Sequence, residues 1–226
     1  MSTATPTIDR SLVERLVRAA VQQQVSRNGK ADGRPTRPRL VVNISARHCH
    51  VTQEDLERLY GSGHKLTPYK ALYQDGFFAA EETVTIIGPR HRIIPGLRIL
   101  GPCRDHSQVE LAFTDAVMLG LDVPVRKSGD HRDSPGCYLL GPKGMIQLER
   151  GVIRHERHVH MGPTDAAYYG VQDGDRLNLG VKSSCSMVLE DLLVRLAPAS
   201  KLEVHLDTDE GNACDLPHAT KVELFK

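Results

Sequence analysis

Two short segments of the sequence place pairs of histidines at a spacing that suits metal binding. Arg47-His48-Cys49-His50-Val51 and Arg157-His158-Val159-His160-Met161 both read R-H-x-H followed by an apolar residue. Side chains at i and i+2 of a β-strand share a face, with Cα atoms about 6–7 Å apart at a rise of roughly 3.3 Å per residue. A single pair of this kind is commonly a solvated strand face. Two copies in one chain favour a metal site.

An internal repeat adds a carboxylate to these histidines. Thr114-Asp115-Ala116 with Gly120 is repeated as Thr164-Asp165-Ala166 with Gly170. Glu110 lies five residues before Asp115. His50 lies five residues before Asp55 in the same way, and His160 lies five residues before Asp165. Glu110 therefore occupies a position that the other two copies fill with histidine, and a carboxylate there is compatible with zinc. The alternative is an isolated strand glutamate that faces water.

Two further residues complete the candidate site. His205 lies in the alternating segment 202–207, although a structural role in the strand is the alternative. Arg104 follows a predicted strand end, and a guanidinium beside two metals suits phosphate because its fork matches two oxygens. The alternative for Arg104 is a solvated surface residue. Six nitrogen and oxygen ligands exceed one tetrahedral zinc and suit two ions. The candidate metal ligands are His48, His50, Glu110, His158, His160 and His205.

The remaining histidines and the cysteines carry weaker signals. Cys49 alternates away from His48 and His50, so we expect it to pack rather than to bind metal or act as a nucleophile. Five cysteines without a C-x-x-C motif indicate reduced thiols and a cytosolic protein. Five histidines adjoin arginine, aspartate or proline in predicted turns and are expected at the surface: His91, His106, His131, His155 and His218.

Short strands are the main elements that must position these residues. After residue 40, apolar runs of four to eight residues alternate with Gly-Pro, Gly-Asp and Pro punctuation. Helical patterns are brief, around residues 53–60, 114–119 and 164–169. This combination predicts a mainly β fold of barrels capped by short α-helices, rather than a doubly wound α/β sheet.

The beginning of the chain has a different character. Residues 8–24 carry one apolar stripe at helical spacing, and residues 28–39 form a polar linker with glycine and proline. The amphipathic helix predicted within residues 1–27 is either the packed first helix of the domain or a detachable helix that docks on a partner. A helix on a lipid surface is disfavoured, because its polar face is mixed in sign.

Composition excludes several classes of partner. The net charge is +1 and only 4% of the residues are aromatic, which disfavours nucleic-acid binding. No apolar run approaches the roughly 20 residues of a membrane span, and the N-terminus lacks the apolar core of a secretory signal. We therefore expect neither nucleic-acid nor membrane partners.

From residue 40 to the end, the sequence resembles the phosphate propanoyltransferases of the propanediol-utilisation type. The two R-H-x-H segments carry this resemblance, together with the segments 78–84, 100–104, 108–110 and 205–213. It implies two β-barrel domains, which we divide as residues 40–50 plus 151–226 and residues 51–150. It also implies two zinc ions held by the six candidate ligands and acyl transfer between coenzyme A and phosphate. The resemblance assigns phosphate to Arg104 and coenzyme A to Lys70 and Asn212. Cys49 and Cys103 depart from the family pattern.

The resemblance also bears on location and partners. Family members in bacterial microcompartments carry an encapsulation helix and linker, which residues 8–39 resemble. We therefore expect binding to shell or core proteins through residues 1–27, a microcompartment lumen within the cytoplasm, and a homo-oligomer. The expected substrates are acyl-CoA, acyl phosphate and phosphate. The competing functions are a dizinc acyl-CoA hydrolase and a non-enzymatic, zinc-stabilised microcompartment adaptor.

Overall fold

The computed structural model describes residues 37–226, so the predicted helix at 8–24 and most of the linker lie outside the described residues. Within this range the chain is mainly β with few short helices, which confirms the predicted fold class. The strands are β1 Val41–Ser45, β2 His48–His50, β3 Pro68–Ala71, β4 Phe78–Ile87, β5 Ile93–Gly101, β6 Gln108–Glu110, β7 Val125–Arg126, β8 Cys137–Leu140, β9 Met145–Leu148, β10 Val152–His155, β11 His158–Met161, β12 Arg176–Lys182, β13 Met187–Leu196, β14 Glu203–Asp207 and β15 Lys221–Phe225. The helices are α1 Gln53–Tyr60, α2 Phe113–Leu119, α3 Pro163–Tyr169 and α4 Thr208–Ala213, followed by a 3₁₀ turn at Leu216–His218.

The strands form two curled half-barrel sheets. The six-stranded sheet has the order β1-β14-β11-β13-β12-β15. The nine-stranded sheet has the order β7-β10-β6-β2-β5-β4-β8-β9, with β3 added beside β4. The nine-stranded sheet includes β2 and β10, two segments that our division assigns to the other domain. The boundaries of the two domains stay a prediction.

Each sheet covers its own hydrophobic core, and the middle residue of each H-x-H motif belongs to that core. Cys49 is fully buried under the nine-stranded sheet, as Val159 is under the six-stranded sheet. Because side chains alternate along a strand, the flanking histidines project from the opposite face. The expectation that Cys49 packs is confirmed. Among the described residues, no helix is both long enough and apolar enough to span a membrane.

Four strand–helix units carry the candidate ligands. The units are β2–α1, β6–α2, β11–α3 and β14–α4, and each helix begins after an N-cap residue in extended conformation. A candidate ligand lies two residues before each N-cap: His50, Glu110, His160 and His205. An acidic residue lies at the third helical position of every unit: Asp55, Asp115, Asp165 and Glu210. The sequence repeat therefore corresponds to a structural repeat, with a fourth copy at His205.

Acidic residues at the helix starts stabilise these units locally. Thr52 Oγ1 accepts a hydrogen bond from the Asp55 backbone N–H at 3.0 Å. In the last unit, the Asp207 carboxylate accepts from the Glu210 N–H at 2.8 Å and Glu210 accepts from the Asp207 N–H at 3.0 Å. Such capping satisfies N–H groups that have no partner within the helix, and one cap contributes about 0.5–2 kcal/mol. In these two units the ligand strand is thereby fixed at the end that carries the ligand.

Candidate functional site

The first triad consists of His48, His50 and Glu110, on two neighbouring strands of the nine-stranded sheet. β2 and β6 run antiparallel, and His48 is directly opposite Glu110. His48 Nε2 lies 3.4 Å from Glu110 Oε2, and His50 Nε2 lies 4.0 Å from Glu110 Oε1. All three side chains are buried. One potential ligand atom from each residue lies within 4.8 Å of the others.

The second triad consists of His158, His160 and His205, on two neighbouring strands of the six-stranded sheet. β11 and β14 run antiparallel, and His158 is directly opposite His205. The rings of these two residues stack with centroids 4.9 Å apart, and the ring of His160 lies 5.2 Å from that of His205. The ligand atoms again fall within 4.8 Å of one another. The two triads are thus built alike, with Glu110 and His205 in corresponding places.

Backbone carbonyls orient several of these imidazoles. His48 Nδ1 lies 2.9 Å from the Ala46 carbonyl oxygen, and His158 Nδ1 lies 2.7 Å from that of Glu156. His50 Nδ1 has a longer contact of 3.3 Å to the Leu100 carbonyl. An Nδ1–H that donates to a carbonyl leaves the Nε2 lone pair available to a metal. The donor set and its tautomers fit zinc.

His205 supports the same conclusion. Its Nε2 is buried and has no hydrogen-bond partner among the described residues. Glu203 Oε2 lies 3.0 Å from this nitrogen. A buried polar atom without a hydrogen bond is costly unless a ligand satisfies it. A metal at the second triad would satisfy this nitrogen.

Burial lowers the pKa values of four of the triad histidines and so favours their neutral form in the metal-free chain. Burial, together with the nearby His48 and Arg104, lowers the pKa of His50 to about 3. Burial, with Arg195 and His205, lowers the pKa of His160 to about 4. The pKa values of His48 and His158 are also lowered, with burial as the main cause. Neutral imidazoles are the form that binds a metal.

Glu110 remains ionised despite its burial. Burial alone would raise the pKa of Glu110, but His48, His155 and His50 and a hydrogen bond from Ser128 outweigh it and lower the pKa. Ser128 Oγ donates to Glu110 Oε1 at 2.8 Å, and Gln108 Nε2 donates to the same oxygen at 2.6 Å. These bonds fix one carboxylate oxygen. The other oxygen, Oε2, is the one nearer His48.

Two arginines lie near the triads. Arg104 donates from Nη1 to Ser128 Oγ at 3.0 Å, so Ser128 links it to Glu110. Sequence reasoning missed the second, Arg195, which lies on β13 opposite His160. It is the one charged residue in the run Leu192-Leu193-Val194-Arg195-Leu196, and that interruption of an apolar strand was an available signal. Burial lowers the pKa of both guanidinium groups, which nevertheless stay charged at pH 7.

The surface assignment of His155 is wrong. His155 is 3% exposed, because its strand β10 lies between β6 and β7. The ring lies 5.6 Å from that of His158, and its Nε2 is buried without a hydrogen-bond partner among residues 37–226. The apolar run Val152-Ile153 before it was the signal for a buried strand. His91 and His218 are exposed as expected, whereas His131 is half-buried with its Nε2 3.0 Å from Gln108 Oε1.

The expected coenzyme A contacts lie on exposed positions. Lys70 is on β3 and Asn212 is on α4, and both are exposed. Gln74 lies in the loop that follows β3 and contacts residues that are close to His205 of the second triad. Gln74 Nε2 donates to Glu203 Oε2 at 2.7 Å and to the Lys201 carbonyl at 3.0 Å. The roles of Lys70 and Asn212 stay predictions.

Fold and site together define a class: a mainly β protein with two clusters of candidate metal ligands, accompanied by arginines. Comparison with known proteins identifies the family. A family model described as phosphate propanoyltransferase matches residues 41–217. The chain is 58% identical over 226 residues to a phosphate propanoyltransferase of Planctopirus limnophila, covering 97% of this chain and 92% of that protein. It is 48% identical to the Thermotoga maritima protein of the same name and 41% identical to that of Salmonella typhimurium, each over 79% of this chain and 85% of the relative.

The chain belongs to the phosphate propanoyltransferase family. It is an acyltransferase enzyme, and its function is that of a phosphotransacylase. This confirms the resemblance drawn from the sequence motifs.

Proposed function

We propose that this enzyme moves a short acyl group, propanoyl, between coenzyme A and inorganic phosphate at a centre of two zinc ions. The observation that carries the proposal is the pair of similarly built triads, each with three convergent ligand atoms and with Arg104 nearby. His48, His50 and Glu110 would hold one ion, and His158, His160 and His205 the other. Bound zinc would supply Lewis acidity and positive charge beside the reacting carbonyl.

The residues of the chain would position phosphate for direct attack. Arg104 offers a guanidinium fork that matches two phosphate oxygens and would orient a third towards the acyl carbon. The new bond joins a phosphate oxygen to the carbonyl carbon, and the bond to sulfur breaks. The proton of hydrogen phosphate then neutralises the coenzyme A thiolate. Lys70 and Asn212 would contact coenzyme A.

The chemistry of the cysteines supports a route without an acyl-enzyme. Burial raises the pKa of the Cys49 thiol far above its ordinary value and that of Cys137 to about 12. A thiol must ionise to act as a nucleophile, so both are inert at neutral pH. Phosphate itself is then the nucleophile.

An assay with propanoyl-CoA tests this function. Thiol release is followed with and without phosphate, and acyl phosphate is measured in parallel. We expect release that depends on phosphate, with one acyl phosphate per thiol. Equal release without phosphate would instead indicate a hydrolase, and no release under either condition would favour a non-enzymatic adaptor.

We also propose that residues 1–27 direct a homo-oligomeric enzyme into the lumen of a bacterial microcompartment by docking on shell or core proteins. The support comes from the amphipathic stripe and the polar linker, and from the match to the Planctopirus limnophila protein, which extends over 97% of the chain. Residues 1–28 fused to a fluorescent protein should enter the compartments of a cell that makes them. A diffuse reporter, or an enzyme that unfolds when residues 1–27 are removed, would contradict this role.

A further inference from the structure

Arg195 has no part in the function proposed above, although it lies beside the second triad. It is on β13 in parallel register with His160 on β11. Its side chain is half-buried, and its guanidinium has no hydrogen-bond or ion-pair partner among residues 37–226. A guanidinium carries five N–H donors and a permanent charge. Partial burial of such a group is costly when nothing accepts its hydrogen bonds, so its natural partner is a ligand.

Arg195 lies beside the second triad in the sheet. Arg195 and His160 are partners in the register of β13 and β11, and the ring of His160 lies 4.9 Å from that of His158. Burial is the main cause of the lowered pKa of Arg195, and the carboxylates of Glu110 and Asp173 oppose it. The strand of Arg195 therefore adjoins the second triad, and the charge of its guanidinium interacts with a carboxylate of the first.

Arg195 and Arg104 also act on each other. Burial is the main cause of the lowered pKa of Arg104; the Glu110 carboxylate opposes this shift, and the positive charge of Arg195 adds to it. Two partly buried like charges repel, and an anion between them would offset the repulsion. A tetrahedral dianion has enough oxygens for two guanidinium forks, whereas a single carboxylate does not.

We propose that Arg195 is a second phosphate-binding residue, and that Arg104 and Arg195 hold inorganic phosphate from two sides. This inference rests on the proposed phosphotransacylase function. Arg104 approaches from the side of Glu110, to which Ser128 links it, and Arg195 approaches from the side of His160. Contacts from two sides fix which oxygen faces the acyl carbon. A phosphate group of coenzyme A has the same chemistry, so the test separates the two sources.

The test compares Arg195→Met and Arg195→Lys with Arg92→Met, a matched control in the turn before β5. Rates are measured against phosphate at saturating propanoyl-CoA, and against propanoyl-CoA at saturating phosphate. For Arg195→Met we expect KM for phosphate to rise about ten- to hundredfold, the effect of one charge-assisted contact. Arg195→Lys keeps the charge but loses the fork, so it should show an intermediate rise. KM for propanoyl-CoA should stay unchanged in both variants.

A second readout does not depend on turnover. Phosphate should raise the Tm of the zinc-loaded wild-type enzyme and of Arg92→Met, because a ligand of the folded state stabilises it. The same phosphate concentration should raise the Tm of Arg195→Met much less, while its zinc content equals that of the wild type.

Several outcomes would overturn the inference. A rise in KM for propanoyl-CoA alone would assign Arg195 to a phosphate of coenzyme A. Loss of zinc from both Arg195 variants would make it a residue that supports the metal ligands. Wild-type values of both KM would remove it from substrate binding. A wild-type enzyme without phosphate-dependent turnover would instead overturn the proposed function itself.

Discussion

Arg157 Nε lies 2.8 Å from Glu210 Oε1, and Arg47 Nη1 makes the corresponding contact of 2.8 Å with Asp115 Oδ1. Each arginine opens an R-H-x-H motif. Asp115 is the third residue of α2, the helix that follows Glu110 of the first triad. Glu210 is the third residue of α4, the helix that follows His205 of the second triad. The arginine therefore joins the strand that carries two ligands to the unit that carries the third. This gives the arginine of the R-H-x-H motif a structural role, although only the two histidines are candidate ligands.

Arg154 extends this network between the sheets. It comes from β10 and pairs with both Asp207 and Glu210, and all three side chains are buried. Glu210 Oε1 forms ion pairs with two arginines, at 2.7 Å from Arg154 Nη2 and 2.8 Å from Arg157 Nε. We expect Arg154→Met to lower the free energy of unfolding by about 3–5 kcal/mol, because two buried carboxylates lose a partner. Urea unfolding measures the change.

The exposed pair Arg132–Asp130 provides the control for that experiment. Arg132→Met should change the free energy of unfolding far less than Arg154→Met does, because solvent screens such a pair. Equal effects of the two substitutions would show that the buried network contributes no more than a surface contact.

The stability of the metal-free chain should fall in acid. Burial, with His48 and Arg104, lowers the pKa of His50 to about 3, whereas histidine in an unfolded chain titrates near 6.5. Between these values the unfolded state binds more protons, so the free energy of unfolding rises with pH and levels off above about 6.5. One such histidine contributes up to about 1.4 kcal/mol per pH unit in this window. The lowered pKa of Glu110 adds a further loss only below 4.5.

Urea unfolding of chelator-treated protein at pH 5 and pH 7 tests this dependence. His50→Asn should reduce the difference between the two pH values, because the substitution removes a group that titrates only in the unfolded state. An identical difference in wild type and variant would show that His50 does not carry the effect.

Metal analysis should find about two zinc ions per chain, as six nitrogen and oxygen ligands in two triads require. We expect His205→Ala to reduce this content to about one ion, because only the second triad loses a ligand. His218→Ala, at an exposed histidine, should retain the wild-type content. An active wild-type preparation without bound transition metal would refute the two-metal centre.

Arg104→Lys should weaken the use of phosphate more than it weakens folding. Lysine keeps the charge but cannot bind two oxygens in the fixed geometry of a guanidinium. We expect KM for phosphate to rise about tenfold or more, which corresponds to about 1.4 kcal/mol of lost binding, with an unchanged unfolding midpoint. Steady-state rates against phosphate concentration measure this. An unaltered phosphate dependence would exclude Arg104 as the phosphate-binding arginine.

The sequence predicted the ligand pairs because strand alternation is a local property. The spacing of His48 and His50 is enough to place both side chains on one face. Glu110 was found through a repeat of Thr-Asp-Ala, since its helix start resembles that of Asp165. The fourth copy escaped the same comparison, because Glu210 replaces the aspartate and Asp207 replaces the N-cap threonine or glycine.

The pairing of strands could not be predicted from strand alternation or from the short repeat. Which triad each ligand joins depends on pairings between segments far apart in the sequence, such as β2 with β6 and β11 with β14. Arg195 and His155 were missed for this reason. Neither residue lies in a recognisable motif, and the residues that surround each of them come from strands that are distant in the sequence. The burial of His155 likewise depends on β6 and β7, the strands on either side of it.

The contact of Gln74 with Glu203 has a thermodynamic consequence. Gln74 belongs to the loop that follows β3, the strand of Lys70, while Glu203 lies 3.0 Å from the Nε2 atom of His205. Ordering of this loop by a bound thioester would therefore alter the affinity of the second triad for its ion. Linkage makes the effect reciprocal, so loading that triad alters the affinity for the thioester by the same factor. If the loop and the triad bind as proposed, substrate and metal would act as heterotropic effectors of each other through a single carboxylate.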